Sequence, residues 1–144
     1  WFGNEIVYED LGQRIRNMNS TELLGYIDKK IAELMPQRIV IDPISVVKNL
    51  LNDDYRLFLF DLTTRLKNWQ ATTILTGEVG ADGHLPAELA YSADGVIVLT
   101  MDFSKENTRK YLEVVKMRGT NHMGGKYSFI IDSTEGMTIL RTKF

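Results

Sequence analysis

Cysteine is absent from this sequence. Its absence excludes disulfides, thiolate metal sites and cysteine nucleophiles together. No apolar run approaches the ~20 residues of a membrane-spanning helix, and no signal-peptide pattern is visible. Histidine is scarce: His84 and His122 are the only two, and no ligand spacing joins them, so a zinc site has no support. No Gly-x-Ser-x-Gly elbow occurs, which removes the α/β-hydrolase reading. The net charge of −2 gives no global electrostatic case for nucleic acid or an anionic membrane. Repeats, low-complexity tracts and linkers are also missing. These absences lead to the expectation of a soluble, cytoplasmic protein with no membrane partner.

What remains is an ordinary globular composition. The chain has 144 residues, 44% apolar and 25% charged, enough for one domain with a real core. It starts at Trp1 and not at Met, which raises the expectation of a piece of something longer.

The organising stretch is Arg38-Ile39-Val40-Ile41-Asp42-Pro43-Ile44-Ser45. Three consecutive β-branched residues with no alternating polar face suit a strand buried on both faces in a parallel sheet. Asp42 then falls at the carboxyl end of that strand, where open α/β sheets bind ligands. A hydrated magnesium ion is commonly held by one or two carboxylates plus substrate phosphate. Asp and Pro also favour turns, so this stretch alone leaves a simple strand end equally open.

Upstream, Glu5 to Asp10 reads as a short strand, and its adjacent acids Glu9 and Asp10 would point to opposite faces. Asn19 and Glu22 have capping-box spacing. Leu23, Leu24, Ile27, Ile31 and Leu34 form one helical stripe, which Pro36 ends. Downstream, Asp53 and Asp54 are expected to open a second helix whose face carries Tyr55, Phe58, Leu59, Leu62, Leu66 and Trp69. Residues 71–79 form a second candidate core strand, residues 80–84 a loop, and Pro86 begins a short helix through Tyr91. Val96 to Met101 is a third candidate buried strand. Three further strands, 111–117, 127–132 and 137–140, are joined by loops too short for parallel crossovers, so they pair antiparallel.

Lys116, Arg118 and His122 place three potential cations within seven residues. On a strand Lys116 and Arg118 share a face and can address one anion. A basic strand end in solvent is the plainer alternative. Gly119-x4-Gly124-Gly125-Lys126 is not a phosphate-binding loop. It has one glycine too many, lacks a following Ser or Thr, and leads into a strand instead of a helix.

These residues carry a resemblance. The stretch from Arg38 to Ser45 looks like the Walker B strand of RecA-like ATPases. Glu88 through Leu99 resembles the segment leading into a later core strand in the KaiC branch of that superfamily. Val115-Lys116-Met117-Arg118-Gly119-Thr120-Asn121-His122 is similar to the Lys-Met-Arg-Gly-(Ser/Thr)-x-His signature of KaiC-like proteins. The match runs from about Ile6 to Leu140. It implies an α/β fold: a RecA-like P-loop NTPase core with parallel central strands and a C-terminal antiparallel meander. It further implies a ring, usually a hexamer, with nucleotide held between neighbours. By that resemblance Asp42 lies near Mg2+ through water, and Asp42 and Glu78 are the catalytic acids. Ser45 and Thr76 then contact ATP, with Thr76 near the γ-phosphate. Lys116, Arg118 and His122 reach the neighbouring subunit's nucleotide.

The resemblance puts the family's Walker A motif and paired catalytic glutamates upstream of the matched portion. No Gly-x4-Gly-Lys-(Ser/Thr) occurs in these residues, and Glu9-Asp10 is not promoted to the glutamate role. Residues 1–144 are therefore expected to form one partial domain without a P-loop, inactive alone, with an exposed sheet edge. The rival reading is a non-enzymatic scaffold or regulatory module of the same fold. A DNA-handling role, as in recombinase relatives, has no basic groove behind it.

Overall fold

The computed structural model describes residues 6–79, 87–104 and 108–143. Glu5, the loop at 80–84 with His84, and Pro86 lie outside the described residues. The chain separates into two compact units, one ending at Ser92 and one starting at Ala93.

In the first unit, residues 6–10 have no regular structure, contrary to the expected strand. Among the described residues no strand pairs with them, and strand-prone residues without a ladder partner do not make a strand. Glu9 instead anchors the segment through its side chain, accepting a 2.5 Å bond from the Tyr26 hydroxyl. That bond is the main cause raising the Tyr26 pKa.

Helix α1 (Ser20–Leu34) opens with the expected capping box. The Asn19 side chain accepts from the Glu22 amide at 2.9 Å, and the Glu22 carboxylate accepts from the Asn19 amide at 3.0 Å. The helix ends through Met35 in the left-handed region, just ahead of Pro36. Leu23 and Leu24 are buried, whereas Leu34 at the far end of the stripe is exposed.

Strand β1 (Arg38–Ile41) is followed by α2 (Ser45–Leu51), a short helix the sequence reading did not contain. A 3-10 turn at Asn52–Asp54 leads into α3 (Tyr55–Asn68). The apolar face of α3 forms the centre of the unit: Phe58, Leu59 and Leu62 are fully buried beside Leu23, Leu24, Ile44 and Val47. Each such side chain contributes about 1.5–3 kcal/mol on leaving water. Asp28 of α1 ties onto α3, accepting from Trp69 Nε1 at 2.9 Å and pairing with Arg65.

Strand β2 (Thr72–Leu75) pairs parallel with β1, Arg38 opposite Thr72 and Ile41 opposite Leu75. Helix α4 (Ala87–Ser92) completes the unit. The expectation of a strand buried on both faces needs correction. Ile41 and Leu75 pack on the helical core, but the opposite face carries Val40 and Ile74, 63% and 56% exposed. Among the described residues β1 and β2 pair only with each other, so both edges of this ribbon are open.

The second unit is a four-stranded antiparallel sheet in the order β3 (Gly95–Asp102), β4 (Arg109–Met117), β5 (Lys126–Asp132), β6 (Gly136–Lys143). The expected meander is present. The strand expected as a third buried core strand is β3, which here pairs antiparallel with β4 and alternates exposed with half-buried residues. Its Ile97, Leu99 and Met101 lie on an exposed apolar face with Ile131 and Ile139.

Candidate functional site

Asp42 lies one residue past β1, and Thr76 one residue past β2. The parallel register therefore puts both at the same end of the ribbon. Three bonds join them and their neighbours. The Thr76 hydroxyl donates to Asp42 Oδ1. The Thr76 amide donates to the Ile41 carbonyl at 3.1 Å, and the Ile44 amide donates to the Thr76 carbonyl at 2.8 Å. Asp42 is exposed, so its carboxylate is open to solvent at the strand end. Oδ1 accepts from Thr76, and among the described residues no hydrogen bond reaches Oδ2.

Ser45, half-buried, is the first residue of α2, three positions beyond Asp42. Glu78 is exposed in the irregular stretch after β2. The structure thus brings Asp42 and Thr76 into contact and sets Ser45 and Glu78 in the segments leaving the same two strand ends. Among the described residues Glu78 makes no hydrogen bond or ion pair with Asp42.

The basic residues belong to the second unit. Lys116 is half-buried near the end of β4. The β3–β4 ladder shifts register there: Ile97 is opposite Val114, but Val96 is opposite Lys116. Val115 is thus an extra residue in β4, a β-bulge. Such bulges re-aim side chains. Here the bulge turns Lys116 to the side of Val96, whereas uninterrupted alternation would keep it on the side of Val114 and Ile97.

Arg118 does not continue the strand, as the sharing of one face had assumed. It opens the turn after Met117 and is exposed. Its amide donates to the Asp94 carbonyl at 2.7 Å, and its Nη1 lies 3.4 Å from Asp94 Oδ1. His122 is exposed in the loop that follows, with Nδ1 3.5 Å from the Thr120 carbonyl oxygen.

Sequence reasoning missed the bulge and the Asp94 partner. The sequence of β4, with like residues side by side at 109–110, 111–112 and 114–115, carries no clear local signal for the bulge. No local pattern signals Asp94, because the contact spans 24 positions.

These strand ends and this signature can be set beside known proteins. Residues 4–143 match the family described as "ATPase: KaiC". The chain belongs to the KaiC family. A circadian clock oscillator protein KaiC from Parathermosynechococcus lividus is 30% identical over 129 residues, covering 85% of this chain and 24% of that protein. The KaiC of Synechococcus elongatus is 33% identical over 115 residues, covering 76% of this chain and 22% of that protein. The crystal structure of a KaiC-like protein from Pyrococcus horikoshii superposes with a TM-score of 0.74 at 30% identity, covering 84% of this chain and 56% of that one. The α/β fold, with its parallel ribbon and antiparallel meander, is that of a KaiC-like RecA-type protein. The chain spans about a quarter of the length of these curated KaiC relatives. Among the described residues no helix is long and apolar enough to cross a membrane.

KaiC membership in an ATPase family raises the question of whether the residues fit magnesium and nucleotide. An exposed carboxylate at a strand end, with a hydroxyl beside it, is an oxygen donor set of the kind magnesium takes. Among the described residues no group of three or more His, Asp or Glu could cage a metal. The site therefore fits an ion held by one carboxylate, waters and substrate phosphate, and not a closed structural metal.

Proposed function

We propose that this chain is the later portion of a RecA-superfamily ATPase of the KaiC kind, and that the whole protein hydrolyses ATP at interfaces between the subunits of a ring, a hexamer by family resemblance. Both compact units are then parts of one domain, and the protein works in the cytoplasm. The observation that carries the reading is the Asp42–Thr76 bond across the adjacent carboxyl ends of two parallel strands, where ligands of open α/β sheets bind.

On this reading Asp42 would hold magnesium through water, and the ion, bound with nucleotide, would supply neutralisation of the charge on the transferred phosphoryl group. Glu78, in the segment leaving β2, is the second catalytic acid, near the γ-phosphate, and Asp42 also lies near the attacking water. Ser45 and Thr76 complete the polar rim. Lys116, Arg118 and His122 address the triphosphate of a neighbouring subunit. Cations supplied across an interface favour the transition state because they meet charge that is greatest there.

The β- and γ-phosphates need a backbone cradle and a lysine, and no Gly-x4-Gly-Lys-(Ser/Thr) occurs among the 144 residues. The chain alone is therefore inactive, and turnover requires a Walker A segment joined to it. That same lack favours one second reading, a non-enzymatic scaffold or regulatory module. The scaffold reading predicts no ATP binding even with a Walker A segment restored. The test is turnover of the joined protein carrying Lys116→Ala with Arg118→Ala. The ATPase reading expects a loss of turnover larger than any loss of folding stability. Unchanged turnover in an intact ring rules out the role across the interface.

A further inference from the structure

We infer that Thr76 is a positioning residue, whose hydroxyl holds the Asp42 carboxylate in one orientation so that Oδ2 faces the cation. The cation part rests on the ATPase reading above; the Thr76–Asp42 arrangement does not.

An exposed aspartate is free to change rotamer, and Asp42 is exposed. Thr76 removes that freedom from three directions. Its amide bonds the carbonyl of Ile41, the residue before Asp42, and its carbonyl accepts from Ile44, two residues after. Both flanks of Asp42 are thus fixed by the backbone of the residue that also donates to its side chain. Threonine is β-branched and stiff about χ1, so the donor keeps its direction. The bond takes the single proton of the hydroxyl, and a phosphate oxygen can only accept. Thr76 therefore acts on the nucleotide through Asp42 and does not donate to the γ-phosphate itself.

The experiment compares the 144-residue chain with Thr76→Val, which keeps the shape and removes the donor, and with Thr76→Ser, which restores a donor. The readouts are the three-bond couplings that report the Asp42 χ1 angle by NMR, and Mn2+ titration followed by broadening of Asp42 signals. One rotamer in the wild-type and Thr76→Ser chains, with averaging in Thr76→Val, is the expected result. Mn2+ affinity should fall about tenfold in Thr76→Val, the low end for losing a group that hydrogen-bonds a metal-holding residue, and recover in Thr76→Ser. A single Asp42 rotamer in Thr76→Val overturns the inference. Absence of Mn2+ broadening in all three chains, with the rotamer result intact, overturns the metal reading and leaves the positioning role standing. Should Thr76→Val not fold, the wild-type hydroxyl proton decides: slow exchange with a cross-peak to the Asp42 β-protons supports the bond, and exchange at the bulk rate overturns it.

Discussion

Arg118 meets Asp94 twice: its backbone amide donates to the Asp94 carbonyl at 2.7 Å, and its guanidinium lies 3.4 Å from the Asp94 carboxylate. The first bond ties the turn after β4 to the residue just before β3 and fixes where the Arg118–His122 segment leaves the sheet. The second is an ion pair whose side chains are 47% and 89% exposed. Pairs this open to solvent contribute little and give way readily to a stronger anion. Asp94→Asn should therefore leave the urea midpoint nearly unchanged and should not reduce ATP turnover of the joined protein. A large loss of stability in that variant would show that Arg118 is committed to its own chain.

The bulge at Val115 leads to a sharper expectation. Deleting Val115 removes the extra residue and leaves Lys116 directly after Val114, opposite Val96 and on the same side as in the bulged strand. Turnover of the joined protein should therefore stay well above that of Lys116→Ala, while circular dichroism still reports the antiparallel sheet. Turnover as low as in Lys116→Ala would mean that the side to which Lys116 points is not what matters.

The first unit depends on α3. Phe58 is fully buried among Leu23, Leu24, Leu59 and Leu62. Phe58→Ala should cost about 3–5 kcal/mol, the range for truncating a buried aromatic residue, measured by urea denaturation. Because whole domains are stable by only about 5–15 kcal/mol, a large loss of folded population is expected at room temperature.

The β5–β6 turn should respond to acid. Asp132 accepts from the Glu135 amide, the Thr134 hydroxyl and the Thr134 amide, at 2.8, 2.7 and 2.8 Å. These bonds favour the ionised form and hold its pKa below the ordinary carboxylate value, the Glu135 amide contributing most. A group depressed in the folded state stabilises it above the unfolded pKa, and that contribution is lost as pH falls through the folded value. Amide exchange at Thr134 and Glu135 should therefore accelerate in acid beyond the ordinary aspartate range. In Asp132→Asn that acid step should disappear.

Much of this structure could be read from local pattern. The capping box at Asn19 and Glu22, the α3 stripe from Tyr55 to Trp69 and the acid closing β1 are all short-range signals, and each has a physical cause within a few residues. What could not be read depends on distant partners. Residues 6–10 have the composition of a strand but no ladder partner among the described residues. Helix α2 was hidden because Val46 and Val47 are β-branched and the helix has only seven residues; Pro43 just ahead of it was the signal passed over. Val96 to Met101 reads as a core strand in either sheet type, since a continuous apolar run does not specify its neighbour. In the candidate site, residue types and order were legible, while the Thr76–Asp42 bond and the Arg118–Asp94 pairing needed the fold.

The central claim is that Asp42 and the pair Lys116–Arg118 serve one triphosphate from two different subunits. Mixing tests it most directly. Two inactive forms of the joined protein are prepared, one with Asp42→Asn and one with Lys116→Ala and Arg118→Ala, and are combined under conditions that let subunits exchange. Mixed rings then contain interfaces with an intact Asp42 on one side and intact cations on the other, and ATP hydrolysis should reappear in the mixture. If exchange is verified and hydrolysis stays at the level of the separate variants, the two sets of residues do not share a site across the interface.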